Sequence, residues 1–205
     1  DSIAFMTDDA RLTGVFQGNS GVDTVDFSRV SHAVSAVITG SGVSVGGFDG
    51  GVSEISSQSG PGFTNIDKFI GGLSTSDSLQ TYDVDAAWSI ANTKSFTADK
   101  QTLVFDKVEQ INAGGKSDVF TITGKQSVNI SAGSGDDTII LNDKASLTGK
   151  IDGGSPTAPV MSPAIGDTIS FNNVSPAKIN ISNFSNFENL DSGTVNDTLL
   201  GTSGD

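Results

Sequence analysis

Six aspartates in turn-forming surroundings are the residues of this chain best placed to do chemistry: Asp23, Asp77, Asp118, Asp137, Asp167 and Asp197, which stand 54, 41, 19, 30 and 30 residues apart. Two kinds of chemistry suit a carboxylate in such a turn. It can bond the free backbone donors of the turn and so cap it. It can also complete the oxygen shell of a hard cation held between neighbouring turns. A formal net charge of −13 makes cations the natural partners and sets the chain against nucleic acid, whose phosphates would repel it.

Other chemistry finds little footing. There is one histidine, His32, and no cysteine, so neither a Ser/His/Asp nor a thiolate constellation can be assembled. The sequence has no complete Gly-x-x-x-x-Gly-Lys-Ser/Thr phosphate loop. The only arginines, Arg11 and Arg29, lie near the start, away from the repeats, so they do not accompany a carboxylate cluster that could serve glycoside or polysaccharide cleavage. Asp8/Asp9 and Asp136/Asp137 are adjacent pairs, and neighbours in a strand point to opposite faces. An enzyme is therefore not expected. His32 reads as a polar surface residue, and Trp88, alternating with Ile90, as a core residue.

The elements that must position these turns come from a repeated phrase. Phe63-Thr-Asn-Ile66-Asp67-Lys-Phe69-Ile-Gly-Gly72, Phe105-Asp-Lys-Val108-Glu109-Gln-Ile111-Asn-Ala-Gly114 and Phe184-Ser-Asn-Phe187-Glu188-Asn-Leu190-Asp-Ser-Gly193 share Phe, then an apolar residue three on, an acid four on, an apolar residue six on and Gly nine on. The first two copies start 42 residues apart and the last two 79, which predicts a degraded copy from Ala145, with Ile151 and Gly154 in place. Its Asp is delayed to Asp167 by an inserted loop over 155–165 that contains Pro156, Pro159 and Pro163, since proline cannot donate to a sheet ladder. Phe63, Phe105 and Phe184 are expected at equivalent core positions.

Short segments alternating apolar residues with Ser, Thr or Asn lie between Gly, Asn and Asp turns. Examples are Asp23–Phe27, Val34–Ile38, Trp88–Ile90, Ser127–Ile130, Thr138–Leu141, Thr168–Phe171 and Lys178–Ile181. Helical periodicity is poor. A repeat near 40 residues, halved by the separation of 19 between Asp118 and Asp137, predicts an all-β chain: a right-handed parallel β-helix, or β-solenoid, with coils of about 20 residues. The whole of 1–205 reads as one such domain, with 1–60 tied to it only by a Gly-x-Asp-Thr-Val turn. Gly201-Thr-Ser-Gly-Asp205 reads like the opening of another turn, as in a piece of a longer array. No apolar run approaches the roughly 20 residues that span a bilayer, and no membrane insertion is expected.

Two resemblances add to this reading. Ala132-Gly133-Ser134-Gly135-Asp136-Asp137-Thr138-Ile139-Ile140 is similar to the calcium-binding nonapeptide of the repeats-in-toxin (RTX) proteins, Gly-Gly-x-Gly-x-Asp-x-apolar-x, lacking its first Gly. Weaker versions surround Asp23, Asp118 and Asp197. The resemblance implies calcium as a cofactor and Asp118, Asp136 and Asp137 as its ligands, while the irregular spacing of the turns departs from the tandem RTX array and keeps simple capping open. Trp88-Ser-Ile90, the phrase from Phe105 to Gly115 and Asp118-Val-Phe120 resemble the repeats of very large bacterial surface and adhesin-type proteins. That resemblance implies a secreted or cell-surface β-helix that extends a stalk or mediates attachment. Its partners would be other subunits, or glycans and proteins of a host or biofilm surface. The alternatives are a calcium-dependent RTX-like exoprotein or surface-layer module and, third, a carbohydrate-active β-helix.

Overall fold

The computed structural model of the protein describes residues 1–42, 46–57, 60–142, 144–155, 166–172, 178–191, 193 and 198–200, with the backbone alone at 172, 178–181 and 198–200. The 155–165 loop beyond Ser155, the turn around Asp197 and the 201–205 segment fall outside the described residues. Among the described residues the chain is all-β, apart from a turn of 3-10 helix at Ile181–Asn183, and its strands form sheets that are mainly parallel. It divides into two compact units. Unit one comprises Asp1–Tyr82 and Thr93–Asn112, and unit two comprises Asp83–Asn92 and Ala113–Asp205.

Unit one holds two parallel stacks. Ser2–Ala4, Thr24–Asp26, Lys68–Ile70 and Gln101–Asp106 lie side by side, with Ile3, Val25, Phe69 and Phe105 in register. Ser35–Ser41, Ser78–Gln80 and Gln110–Asn112 form the second, with Ala36, Leu79 and Ile111 in register. Alternation places these side chains inward, and Val25, Phe69, Phe105, Ala36, Leu79 and Ile111 are all buried. Sealing each large side chain contributes roughly 1.5–3 kcal/mol.

Two antiparallel hairpins interrupt the parallel order of unit one, contrary to the uniform coils expected from the repeat. Ser35–Ser41 folds back on Phe48–Gly51, which in turn pairs antiparallel with Phe63–Ile66. Lys94–Ala98 folds on Gln101–Asp106 through the two-residue turn Asp99-Lys100, whose φ values are 50° and 65°. Positive φ at both central residues gives the turn a twist that matches paired strands. Without a glycine, the sequence carries no visible sign of it.

In unit two every described strand pair is parallel. Ala86–Ile90, Asp118–Ile122, Thr138–Asn142, Thr168–Asn172 and Asn189–Asp191 run side by side, with Trp88, Phe120, Ile139, Ile169 and Leu190 in register. Asn129–Ser131, Ile151–Asp152 and Phe184–Ser185 stack likewise through Ile130, Ile151 and Phe184. Lys125–Gln126 pairs Ser146–Leu147, and Lys178–Asn180 pairs Thr198–Leu200. Trp88 is buried and stacks on Phe120, with ring centroids 5.3 Å apart, as its alternation with Ile90 predicts.

The corners of unit two are built on contact that only glycine permits. A Cβ on Gly133 would sit 1.9 Å from the Gly114 carbonyl oxygen, and one on Gly154 would sit 1.8 Å from that of Gly133. Both residues also take positive φ, 108° and 99°. Backbone therefore rests directly on backbone where one corner lies on the next.

Candidate functional site: a stack of buried carboxyls

Asp118, Asp137 and Asp167 each stand immediately before or at the start of a strand in the first stack of unit two, and each is sealed from solvent. The Asp118 amide donates to Asp137 Oδ1 at 2.8 Å, nineteen residues on. The Asp137 amide donates to Asp167 Oδ1 at 2.8 Å, and the Asp167 amide to Glu188 Oε2 at 2.8 Å. At the other end, Asp118 Oδ1 accepts the Trp88 indole N–H at 3.2 Å. Asp137, Asp167 and Glu188 thus each cap a backbone amide of a neighbouring turn that would otherwise be a buried orphan donor, and Asp118 caps the indole.

The second oxygen of each aspartate has no such use. Asp118 Oδ2, Asp137 Oδ2 and Asp167 Oδ2 are buried and unpartnered. Burial chiefly, with repulsion from Asp137 and Asp85 added, pushes the Asp118 carboxyl up to about 8 against the Trp88 bond that favours its ionised form. Burial raises Asp137 to about 7, with Asp167 and Asp136 adding to it. Asp167 rises to about 6 for the same first reason, with Glu188, Asp136 and Asp152 contributing repulsion.

Unit one handles its acids differently. Asp77 Oδ1 accepts the Val34 amide at 2.7 Å and Oδ2 accepts the Gly72 amide at 2.7 Å, so both oxygens are used. The Asp77 amide donates to Glu109 Oε2 at 3.2 Å, and the Asp23 amide to Asp67 Oδ2 at 2.9 Å. Asp23 itself meets the Asp1 amino group through Oδ1 and leaves Oδ2 unpartnered.

These bonds explain the repeated phrase. Its acid, at Asp67, Glu109 and Glu188, always caps the amide of a buried aspartate, namely Asp23, Asp77 and Asp167. In return the acid's own amide donates to that aspartate's carbonyl. The residue two places before the acid is left-handed in every copy: Asn65 at 56°, Lys107 at 51° and Asn186 at 56°. The phrase is therefore a corner, with its first and seventh residues entering different stacks.

That geometry corrects the expectation that Phe63, Phe105 and Phe184 are equivalent. Phe63 pairs with Phe16, whereas Phe105 lies in register with Phe69, the seventh residue of the first copy. Phe63 and Phe105 are buried, but Phe184 is only half-buried and Leu190 is 44% exposed. The Phe spacing suggested equivalence because the same corner serves two different bends.

Of the three residues offered as calcium ligands, Asp118 and Asp137 join in the stack, while Asp136 turns aside and accepts the Gly166 amide at 3.2 Å. Among the described residues, no group of three or more acidic or histidine side chains is placed to hold a metal ion. Asp167, one of the six turn aspartates but not among the ligands the resemblance implies, and Glu188, the acid of the third phrase, complete the stack. The signal for Glu188 lies in the recurrence of an acid one residue after an apolar position in each phrase.

His32 is not the plain surface residue its neighbours suggest. Its Nε2 lies 2.9 Å from Oε1 of Glu54, whose side chain is 2% exposed. A groove of about 720 Å³ in unit one, over Val37, Thr39, Gly50, Ile55, Pro61 and Gly62, is lined by no ionisable side chain. No protein-family model, no curated protein and no solved structure matches this chain.

Proposed function

We propose that the chain is a right-handed parallel β-solenoid in turns of about 20 residues, serving as a structural and adhesive segment of a large secreted or cell-surface bacterial protein. The register of unit two carries this reading. Asp118 reaches Asp137 nineteen residues on, Asn129 bonds the Lys150 amide twenty-one residues on, and Asp167 meets Glu188 after another twenty-one. A step near 20 residues that recurs on several faces, lengthened to 30 between Asp137 and Asp167, where the 155–165 loop falls, is what a coil of fixed perimeter with a loop inserted at a corner would produce. The hairpins of unit one are then insertions into the coil, and they put variable surface on a constant core. Bacterial origin and adhesion come from the likeness of the phrase to surface repeat proteins, and the net charge of −13 suits a soluble stalk.

Small-angle scattering and negative-stain electron microscopy test the solenoid. A rod is expected, and a compact sphere would overturn it. Adhesion is tested by coating beads with the chain and counting their retention on abiotic, glycan-coated and host-cell surfaces. Retention no greater than that of beads coated with an inert acidic protein would leave the stalk and remove the adhesin.

A further inference from the structure

Glu54 is a buried acid of unit one whose bonding is incomplete. Its Oε1 lies 2.9 Å from His32 Nε2, while Oε2 is buried without a partner, as is His32 Nδ1. Among the described residues no lysine or arginine pairs with Glu54. Arg11 instead donates to the Asp8 and Ala10 carbonyls at 2.8 and 2.7 Å, and Asp8, the other acid acting on His32, is closed on the Ser31 amide and hydroxyl. A buried carboxylate with so few partners is costly, and a bound cation is one arrangement that relieves it.

The pair sits at the base of an insertion. His32 stands shortly before Ser35–Ser41 and Glu54 shortly after Phe48–Gly51, the antiparallel pair that departs from the parallel order of unit one. The Glu54 carbonyl accepts the Leu12 amide at 2.9 Å, which fixes this residue against the neighbouring strand Leu12–Thr13. Contact between His32 and Glu54 therefore closes the neck of the hairpin.

We propose that His32 and Glu54 are the protein donors of a zinc site, a clip across the base of this hairpin whose remaining positions are filled by water. An imidazole nitrogen beside a carboxylate oxygen suits zinc and its transition-metal neighbours, whereas calcium and magnesium favour oxygen alone. Zinc bonds of roughly 2.0–2.2 Å at tetrahedral angles put two donors about 3.4 Å apart, so the pair opens by about half an ångström to admit the ion. The ring binds in its neutral form, its proton moved from Nε2 to Nδ1. Glu54 forms the sealed floor, at 2% exposed, and His32, at 35%, the side from which ion and water enter. Two protein donors are fewer than a structural zinc centre uses, so the ion tightens a hairpin that already folds, chiefly by cross-linking its two ends.

Because His32 is the only histidine, its ring reports on the site without ambiguity. The experiment titrates zinc chloride at neutral pH into the full chain, first stripped with EDTA and dialysed, and follows the imidazole nitrogens by long-range proton–nitrogen NMR alongside thermal melts. Magnesium and calcium serve as controls. The Nε2 resonance is expected to move to a metal-bound position with zinc alone and to saturate at one ion per chain. The melting midpoint is expected to rise by roughly 5 °C or more at zinc about a hundredfold above its dissociation constant. Glu54→Gln keeps an acceptor for the ring and should weaken zinc binding about tenfold or more, while His32→Gln should abolish it.

Imidazole resonances unmoved by millimolar zinc overturn the proposal, a result that the wild-type chain alone can deliver if neither variant folds. So does a shift that magnesium or calcium reproduces, which would be screening of acidic charge. Zinc affinity unchanged in Glu54→Gln, or saturation only at many ions per chain, overturns it as well, since either would mark adventitious binding to surface carboxylates.

Discussion

Asp77 in unit one and Asp137 in unit two occupy similar settings, buried acids beside parallel strands, yet they are solved in different ways. Asp77 closes on two amides and uses both oxygens. Asp137 holds one amide and leaves an oxygen unpaired among other carboxyls. The difference comes from chain path. Asp77 bonds Gly72 within its own turn, five residues back, as well as Val34. In unit two no amide of its own turn reaches the second oxygen of Asp137. A carboxylate with two donors is fully capped, whereas burial among acidic neighbours with a single donor raises the Asp137 carboxyl.

The same contrast runs through the repeated phrase, which is sealed at Phe105 and half-open at Phe184. The largest expected effect sharpens it. Phe105→Ala should cost about 3–5 kcal/mol in denaturant unfolding, because a fully buried ring leaves a cavity, while Phe184→Ala should cost less than half as much. Equal losses would mean that the third copy is as well covered as the second.

Next in size is the acid pair itself. Asp77→Asn turns an NH₂ toward an amide donor and should destabilise by roughly 2–3 kcal/mol at neutral pH. Asp137→Asn keeps the acceptor for Asp118 and places its NH₂ where the unpaired oxygen lies. It should change stability by less than about 1 kcal/mol in acid and increase it relative to wild type at alkaline pH. If both variants lose the same amount at every pH, the distinction between cap and titrating group fails.

Smaller effects test the ends of each arrangement. Glu188→Gln preserves the carbonyl that accepts the Asp167 amide but removes a charge that raises Asp167. It should lower the Asp167 midpoint in carboxyl NMR and leave the melting midpoint in acid nearly unchanged. The smallest effect belongs to the hairpin peculiar to unit one, where the Tyr82 hydroxyl donates to Asp99 Oδ2 at 2.6 Å beside the Asp99-Lys100 turn. Burial, followed by that bond, raises the Tyr82 hydroxyl to about 12. Tyr82→Phe should cost about 1 kcal/mol and leave unit two's titration untouched.

Much of the strand pattern was legible. Thr138–Leu141, Thr168–Phe171, Trp88–Ile90 and the separation between Asp118 and Asp137 all showed in the alternation of apolar and small polar residues. Local alternation sets which side chains can be buried, and the structure places strands at Thr138–Asn142, Thr168–Asn172 and Ala86–Ile90. The hairpins of unit one were hidden, because Asp99-Lys100 is not a typical turn pair and strand direction leaves no mark on alternation. Capping was foreseen as an alternative for the aspartates, but their partners were not: Asp167 and Glu188 lie twenty-one residues apart and meet only through stacking.

The sequence by itself determined that this protein is built of short strands, that glycines mark its corners and that acids recur at them, since residue type and local spacing govern backbone preference and burial. Only the tertiary structure decided which acids meet and how many donors each receives. Those depend on which turn lies beside which, and on how close glycine lets one backbone come to the next. The same residue type is therefore fully capped at Asp77 and left with an unpartnered oxygen at Asp118, Asp137 and Asp167, in similar local surroundings.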